Sequence, residues 1–159
     1  MGQAFDDHYN RRVAAVWLRG DYGWVREDLG ALPGTLAGYG HAAALDLSAD
    51  GQVIVGVNRF DWNRSTGFVW TPVAGLQDIA DFLVLAGIAV PEDFDIEAVT
   101  GVSDDGKVFT GYGRIRDDWP STLRSFLFEI SADAGRIAGR TAENPVTKAG
   151  LEPDTGTLP

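Results

Sequence analysis

The chain contains an internal repeat with a period of about 55 residues, and no other feature of the sequence constrains its fold as strongly. The segment 48–56, SADGQVIVG, matches the segment 103–111, SDDGKVFTG, at an offset of 55 residues. A second element occurs three times, as AVW at 15–17, FVW at 68–70 and FLF at 126–128. A repeat of this length predicts supersecondary units that stack on their neighbours.

Each repeat is predicted to contain four short strands. Asp50-Gly51 and Asp105-Gly106 stand between alternating apolar residues, a pattern that predicts a hairpin because glycine supplies the positive φ of the turn. The segments 24–30 and 75–79 predict a further strand after the aromatic one. In the same register Met1-Gly2 aligns with the glycine that ends each repeated segment, so the chain is expected to begin within a repeat.

The predicted fold class is all-β, with consecutive four-stranded antiparallel propeller-like blades, about two and a half repeats and ten strands over residues 1–130. One short helix is expected near residues 78–87, where Ile79, Phe82, Leu83 and Ala86 recur at helical spacing. Residues 131–159 lose the pattern and predict a polar tail or linker that contains Gly, Pro and Thr. Incomplete blades would leave open edges, which predicts a homo-oligomer or the neighbouring repeats of a longer array.

Composition narrows the classes of partner. Against 13 basic residues stand 23 acidic ones, and the resulting charge of -10 disfavours nucleic acid and anionic lipid. No cysteine and only two histidines occur, so thiolate and polyhistidine metal sites are excluded and no cofactor is expected. The longest apolar run, residues 82–90, is far shorter than the roughly 20 residues that cross a bilayer.

Three loops at equivalent places in the repeat each contain an aromatic residue beside carboxylate, amide or guanidinium groups. A ring that stacks on a sugar face, with polar groups around it, is a pattern typical of saccharide binding. The alternative interpretation is that each ring packs on its own hairpin and the charged groups pair locally. The candidate ligand-binding residues are Tyr9, Asn10, Arg11, Asp61, Trp62, Asn63, Arg64, Asp118 and Trp119.

No catalytic residue is assigned from the sequence. A glycosidase needs two carboxylates, and the sequence offers them at Glu92, Asp93 and Asp95, or at Asp117 and Asp118. Adjacent residues of a strand point to opposite faces, so these carboxylates are not expected to act as a catalytic pair. The Asp-Gly turns offer too few oxygens for calcium and are interpreted as turns.

The sequence resembles the HAF-type extracellular repeats of bacterial secreted and surface proteins. The matching elements are Asp28-Leu29-Gly30-Ala31-Leu32-Pro33-Gly34, an alanine-rich strand, Ser-x-Asp-Gly followed by Val-x-x-Gly, and Ala/Phe-x-Trp, over residues 1 to about 130. The resemblance implies the closing part of a propeller-like array, often beside an autotransporter barrel or a sorting tail. It implies no activity or catalytic residues. Few repeats and no signal peptide suggest a fragment of a longer protein.

The expected function is a non-catalytic extracellular or cell-surface module, either a structural spacer of adhesin type or a weak glycan binder. The alternative is a fragment of a polysaccharide-acting enzyme with a β-propeller fold. The expected partners are a surface glycan or further repeats, without nucleic acid or membrane insertion.

Overall fold

The computed structural model describes residues 1–8, 10–116 and 122–130. These residues contain ten strands and one short helix. Strands account for 57% of these residues, so the all-β prediction is confirmed. The tail expected at 131–159 lies outside the described residues. The elements are β1 (Gly2–Asp6), β2 (Arg11–Gly20), β3 (Gly23–Gly30), β4 (His41–Leu47), β5 (Ile54–Arg59), β6 (Ser65–Thr71), β7 (Gly75–Asp78), α1 (Ile79–Leu85), β8 (Phe94–Val102), β9 (Val108–Ile115) and β10 (Leu123–Glu129).

The strands form three successive antiparallel meanders. The first is β1–β3, the second β4–β7 and the third β8–β10. A single parallel bridge between Arg12 and His41 joins the first two into one seven-stranded sheet, and the third forms a separate three-stranded sheet. Within the described residues the expected four-stranded unit is complete in β4–β7 alone, and the sheets do not close on themselves.

The strand registers repeat from one meander to the next. In each, the glycine that ends the repeated segment pairs with the first residue of the aromatic element. These pairs are Gly2↔Ala15, Gly56↔Phe68 and Gly111↔Phe126. The irregularity in β4 at Leu45 recurs at Thr100 in β8, opposite the same glycine positions. The repeat seen in the sequence is therefore a repeat of hydrogen-bond register as well.

Two apolar cores separate the three meanders. One core lies between the first and second meanders, and the other between the second meander, α1 and the third. The first contains Ala14, Val16, Leu29, Leu32, Ala42, Ala44, Ile54 and Phe68; the second contains Val55, Val69, Ile79, Leu83, Ile96, Val99 and Phe109. The second meander is thus covered on both faces, which explains its run of buried residues.

The helix expected near residues 78–87 is present at Ile79–Leu85. Asp78 caps its start, because the carboxylate accepts a hydrogen bond from the N–H of Ala80 at 2.8 Å. Ile79 and Leu83 are buried in the second core, as the spacing predicts. Gly87, with φ of 78°, ends the helix.

Polar contacts tie the second and third meanders together. The Asp46 carboxylate accepts the N–H of Val102 at 2.9 Å, and Ala49 N–H donates to the Asp104 carbonyl at 3.0 Å. These contacts cross from one sheet to the other, so they fix how the two meanders stack.

Candidate ligand-binding cleft

A cleft of about 350 Å³ opens where the β1–β2 hairpin meets the loop that connects β3 to β4. It is lined by Phe5, Asn10, Arg11, Arg12, Gly38, Tyr39, Gly40 and His41. Aromatic, amide, guanidinium and imidazole groups therefore border one concave surface. This mixture of apolar faces and converging polar groups is typical of sites for small ligands.

Buried Asn58 in β5 holds the β3–β4 loop, residues 31–40, in place. Its Oδ1 accepts a hydrogen bond from the backbone N–H of Leu32 at 3.0 Å. Its Nδ2 donates to Thr35 Oγ1 at 3.0 Å, and that hydroxyl in turn donates to the Leu32 carbonyl at 2.7 Å. Both ends of the buried amide thus have partners, so the loop has a defined position before any ligand binds.

Backbone hydrogen bonds connect the loop to the two hairpin turns on either side. Gly38 N–H donates to the carbonyl of Asn10, in the β1–β2 turn, at 2.7 Å. Leu36 N–H donates to the carbonyl of Phe60, next to the β5–β6 turn, at 3.0 Å. The loop therefore bridges two turns that are equivalent in the repeat.

The base of the β3–β4 loop is closely packed. The Arg11 guanidinium donates to the Thr35 carbonyl at 2.9 Å. At Gly40 an added Cβ would lie 2.5 Å from Thr35 Cγ2 and 2.7 Å from the Phe60 carbonyl oxygen, so glycine alone fits. The residues on each side of Gly40 are Tyr39 and His41, and both line the cleft.

Two exposed rings stand side by side at the cleft. Tyr39 and Trp62 have ring centroids 5.8 Å apart and planes tilted by 58°. Their exposed fractions are 60% and 78%, so each ring keeps most of its surface in solvent. Trp62 is therefore not packed under its own hairpin, and the pair offers an aromatic platform.

Positive charge concentrates around His41. Arg12 in β2 and Arg59 in β5 both pair with His41 across the sheet. Partial burial lowers the pKa of the His41 imidazole, and the positive charges of Arg59 and Arg12 lower this pKa further. His41 is accordingly neutral near pH 7 and flanked by two cations.

The structure brings together part of the predicted set. Asn10 and Arg11 line the cleft, and Asn10 adopts a positive φ of 47°, which turns the chain at this point. Trp62 lies beside the cleft, where its ring contacts that of Tyr39, a lining residue. Tyr9, Asp118 and Trp119 lie outside the described residues, so those three assignments stay predictions.

Other predicted residues of the second loop stabilise their own turn. The Asp61 carboxylate accepts the backbone N–H groups of Asn63 at 2.8 Å and Arg64 at 2.9 Å. The Arg64 guanidinium lies 4.3 Å from the centre of the Phe60 ring. This is the local arrangement that the alternative interpretation of the loops anticipated for carboxylate and guanidinium groups.

Sequence reasoning did not assign Arg12, Tyr39 and His41, which line the cleft, or Arg59, which pairs with His41 across the sheet. Arg12, Tyr39 and His41 lie outside the three equivalent loops, and Arg59 begins the second loop but is not part of the aromatic-Asn-Arg pattern that recurs there. A usable signal was present in Gly38-Tyr39-Gly40-His41, where glycines flank an aromatic residue directly before a strand.

The two Ser-x-Asp-Gly segments are turns, and their polar groups bond to one another. Ser48 Oγ donates to the Asp50 carboxylate at 2.6 Å and accepts the N–H of Val53 at 3.0 Å. Ser103 and Asp105 repeat the first contact at 2.6 Å. The serine hydroxyl, followed by a backbone N–H, lowers the pKa of each aspartate.

Of the acidic residues considered for catalysis, Asp95 forms an ion pair with Arg116 at 2.6 Å. Glu92 and Asp93 are exposed in the segment before β8, and Asp117 and Asp118 lie outside the described residues. No group of three or more potential metal ligands occurs in the part of the chain that the structure describes. Nor does this part include a helix long and apolar enough to span a membrane.

Comparison with known proteins returned no match: no family model, no curated protein and no solved structure is detectably similar to this chain.

Proposed function

We propose that this chain is a non-catalytic β-repeat module that binds a saccharide weakly in the cleft between the β1–β2 hairpin and the β3–β4 loop. The observation that carries this proposal is the exposed Tyr39–Trp62 pair beside the cleft. One ring face can cover the apolar face of a pyranose, while Asn10 and Arg11 supply donors for its hydroxyl groups.

The rigidity of the cleft supports a binding role over a purely spacing one. A spacer needs stable hairpins but has no need of two exposed aromatic rings. The buried Asn58 amide and the backbone bonds from Leu36 and Gly38 fix the loop that presents Tyr39. A loop that is already ordered loses little entropy when a ligand binds.

The propeller-like arrangement and the HAF-type relationship belong to the same proposal. The repeated registers and the stacking of three meanders around two cores support consecutive blade-like units. An extracellular or cell-surface location in a bacterium follows only from that relationship. Self-association through edge strands, or contact with further repeats, would complete the open arrangement.

The position and pairing of the carboxylates near β8 support a non-catalytic role. The alternative, a polysaccharide-acting enzyme, requires two carboxyl groups about 5 to 9.5 Å apart across a cleft. Asp95 is instead held by Arg116, and no carboxylate of the described residues lines the cleft between the hairpin and the loop.

The test is a glycan array followed by NMR titration of the best ligands. Trp62→Ala and Tyr39→Ala should each weaken binding about fivefold, since one stacked ring contributes on the order of 1 kcal/mol. Trp24→Ala is the matched control, because Trp24 is 68% exposed on β3 and does not line the cleft. Binding unchanged in both cleft variants would contradict the proposal.

A further inference from the structure

We propose that the ligand of this cleft is an acidic saccharide, bound through a carboxylate or sulfate group by the guanidinium groups of Arg12 and Arg59 beside His41. This inference rests on the proposed saccharide function and adds the charge of the ligand. Arg12 and His41 line the cleft directly, and Arg59 is the cross-strand partner of His41.

Positive charge is in excess around His41. Across three strands, Arg12, His41 and Arg59 occupy paired positions. Strand β4 lies between β2 and β5, so Arg12 and Arg59 flank His41 from both sides and place two positive charges beside it. Among the described residues the side chains of Arg12 and Arg59 make no hydrogen bond or ion pair, whereas Arg26, Arg114 and Arg116 each pair with a carboxylate.

The positive charge beside the cleft contrasts with the acidic character of the chain as a whole. The chain has 23 acidic residues for 13 basic ones, so carboxylates are abundant as partners for arginine. Among the described residues no carboxylate lines the cleft, which the Arg12 guanidinium and the His41 imidazole border, with Arg59 on the strand beside His41. An oxyanion on the ligand would occupy the place of the missing carboxylate, and guanidinium forms paired hydrogen bonds with carboxylate or sulfate.

The aromatic and the cationic parts of the cleft lie next to each other. Tyr39 and His41 are separated by Gly40 alone, and both line the same cleft. A sugar ring stacked on Tyr39 therefore brings a ring substituent within reach of the cationic groups. Neutral sugars satisfy only the aromatic part of this arrangement, while an acidic sugar satisfies both.

The inference also predicts a direction for the pH dependence of binding. Burial lowers the pKa of His41 below its ordinary value of 6.5, and the charged groups on the neighbouring strands, Arg59 and Arg12, lower this pKa further. A bound anion favours the protonated imidazole, so binding should tighten as the pH falls from 7.5 to 5.5, where uronates and sulfates remain ionised. His41→Gln should remove this trend.

The experiment is an NMR titration of the full chain at fixed ionic strength with three probes: trigalacturonate, its methyl ester, and sodium sulfate. Trigalacturonate should shift the signals of the β3–β4 loop and bind at least tenfold more tightly than the ester. Arg12→Gln and Arg59→Gln should each weaken trigalacturonate about fivefold. Arg19→Gln is the matched control, because Arg19 is exposed at the far end of β2.

The outcomes separate this inference from the saccharide proposal. If the ester binds as well as the acid and neither arginine variant changes the affinity, the anionic ligand is wrong and saccharide binding stands. If sulfate alone binds as tightly as trigalacturonate and Tyr39→Ala has no effect, the cleft takes a free anion and the saccharide is wrong. If no probe shifts the loop signals, the acidic ligand is wrong, and the glycan array decides whether the saccharide proposal stands.

Discussion

Single polar side chains decide the shape of the cleft. Asn58 is fully buried and reaches from β5 to two residues of the β3–β4 loop, Leu32 and Thr35. A short amide does this work because it donates and accepts at once. The position of the β3–β4 loop, which contains Tyr39, therefore depends on the buried hydrogen bonds of Asn58.

Asn58→Ala should therefore lower the free energy of unfolding by about 2 to 3 kcal/mol, because the Leu32 N–H loses its partner in a buried place. Urea denaturation followed by tryptophan fluorescence measures this. Asn63→Ala is the matched control, since Asn63 is exposed and should change stability by less than about 0.5 kcal/mol. Equal stability of the two variants would contradict the role given to Asn58.

His41 should make the stability of the fold depend on pH. Its pKa in the folded chain lies below 6.5, so the unfolded chain takes up a proton at a higher pH than the folded one does. Its stabilising contribution is present above pH 6.5 and is lost as the pH falls through the folded pKa. The melting temperature should fall between pH 7.5 and 5.5, and His41→Gln should reduce this fall.

The control for His41 is His8→Gln, which removes the other histidine from an exposed turn. This variant should keep the pH trend of the parent chain in the same melting experiment. A fall in melting temperature that His41→Gln leaves unaltered would assign the pH dependence to other groups.

At the scale of elements, the glycine and phenylalanine of the repeat form a structural pair. Gly56 in β5 lies beneath the ring of Phe68 in β6, and Gly111 lies beneath Phe126 in the same way. The ring occupies the space that a side chain on the glycine would need. The pairing explains why both residue types recur at these positions in the repeat.

Gly56→Ala should consequently destabilise the second meander strongly. An added Cβ would collide with the carbonyl oxygen of Ala43 and lie 2.7 Å from the Phe68 ring. The expected loss is about 3 kcal/mol or more, which chemical denaturation measures. Gly20→Ala is the control, since its Cβ would meet Val25 Cγ2 at an ordinary 3.4 Å.

A third-meander variant tests whether the pair is a property of the repeat. Gly111→Ala should destabilise by an amount similar to Gly56→Ala, because its Cβ would lie 2.6 Å from the Phe126 ring. A Gly111→Ala protein as stable as the parent would limit the effect to the second meander.

At the scale of the whole molecule, the three meanders pack on one another around two cores, and within the described residues their sheets do not close on themselves. The middle meander has a core on each face, whereas the edge strand β3 of the first exposes Trp24 and Val25. In the third meander Leu123 and Leu127 of β10 are 52% and 64% exposed. Apolar side chains on edge strands favour association with another chain.

We therefore expect the chain to self-associate at high concentration, which sedimentation velocity measures. Val25→Lys should shift the equilibrium towards monomer, because a lysine on an edge strand blocks further pairing. Val73→Lys is the control, since Val73 is 99% exposed in the β6–β7 turn and does not belong to an edge strand. A parent chain that stays monomeric at high concentration would contradict the expectation.

The sequence by itself determined the parts that depend on local pattern. Asp-Gly turns, alternating apolar residues and the 55-residue offset predict the strands, the hairpins and the helix that begins at Ile79, because each is encoded within a few neighbouring residues. The Asp-Gly turns anticipated the pairing of β4 with β5 and of β8 with β9, since the register of a hairpin follows from its turn.

Only the tertiary structure decided where the cleft lies. Arg12, His41 and Arg59 come from three strands, and Tyr39 meets Trp62 across 23 residues of chain. Such contacts arise from how meanders twist and stack, and the packing of Asn58 against a loop is invisible to a local pattern. Periodicity reports which face of a strand is buried, but which loops converge depends on long-range packing that no short window of sequence contains.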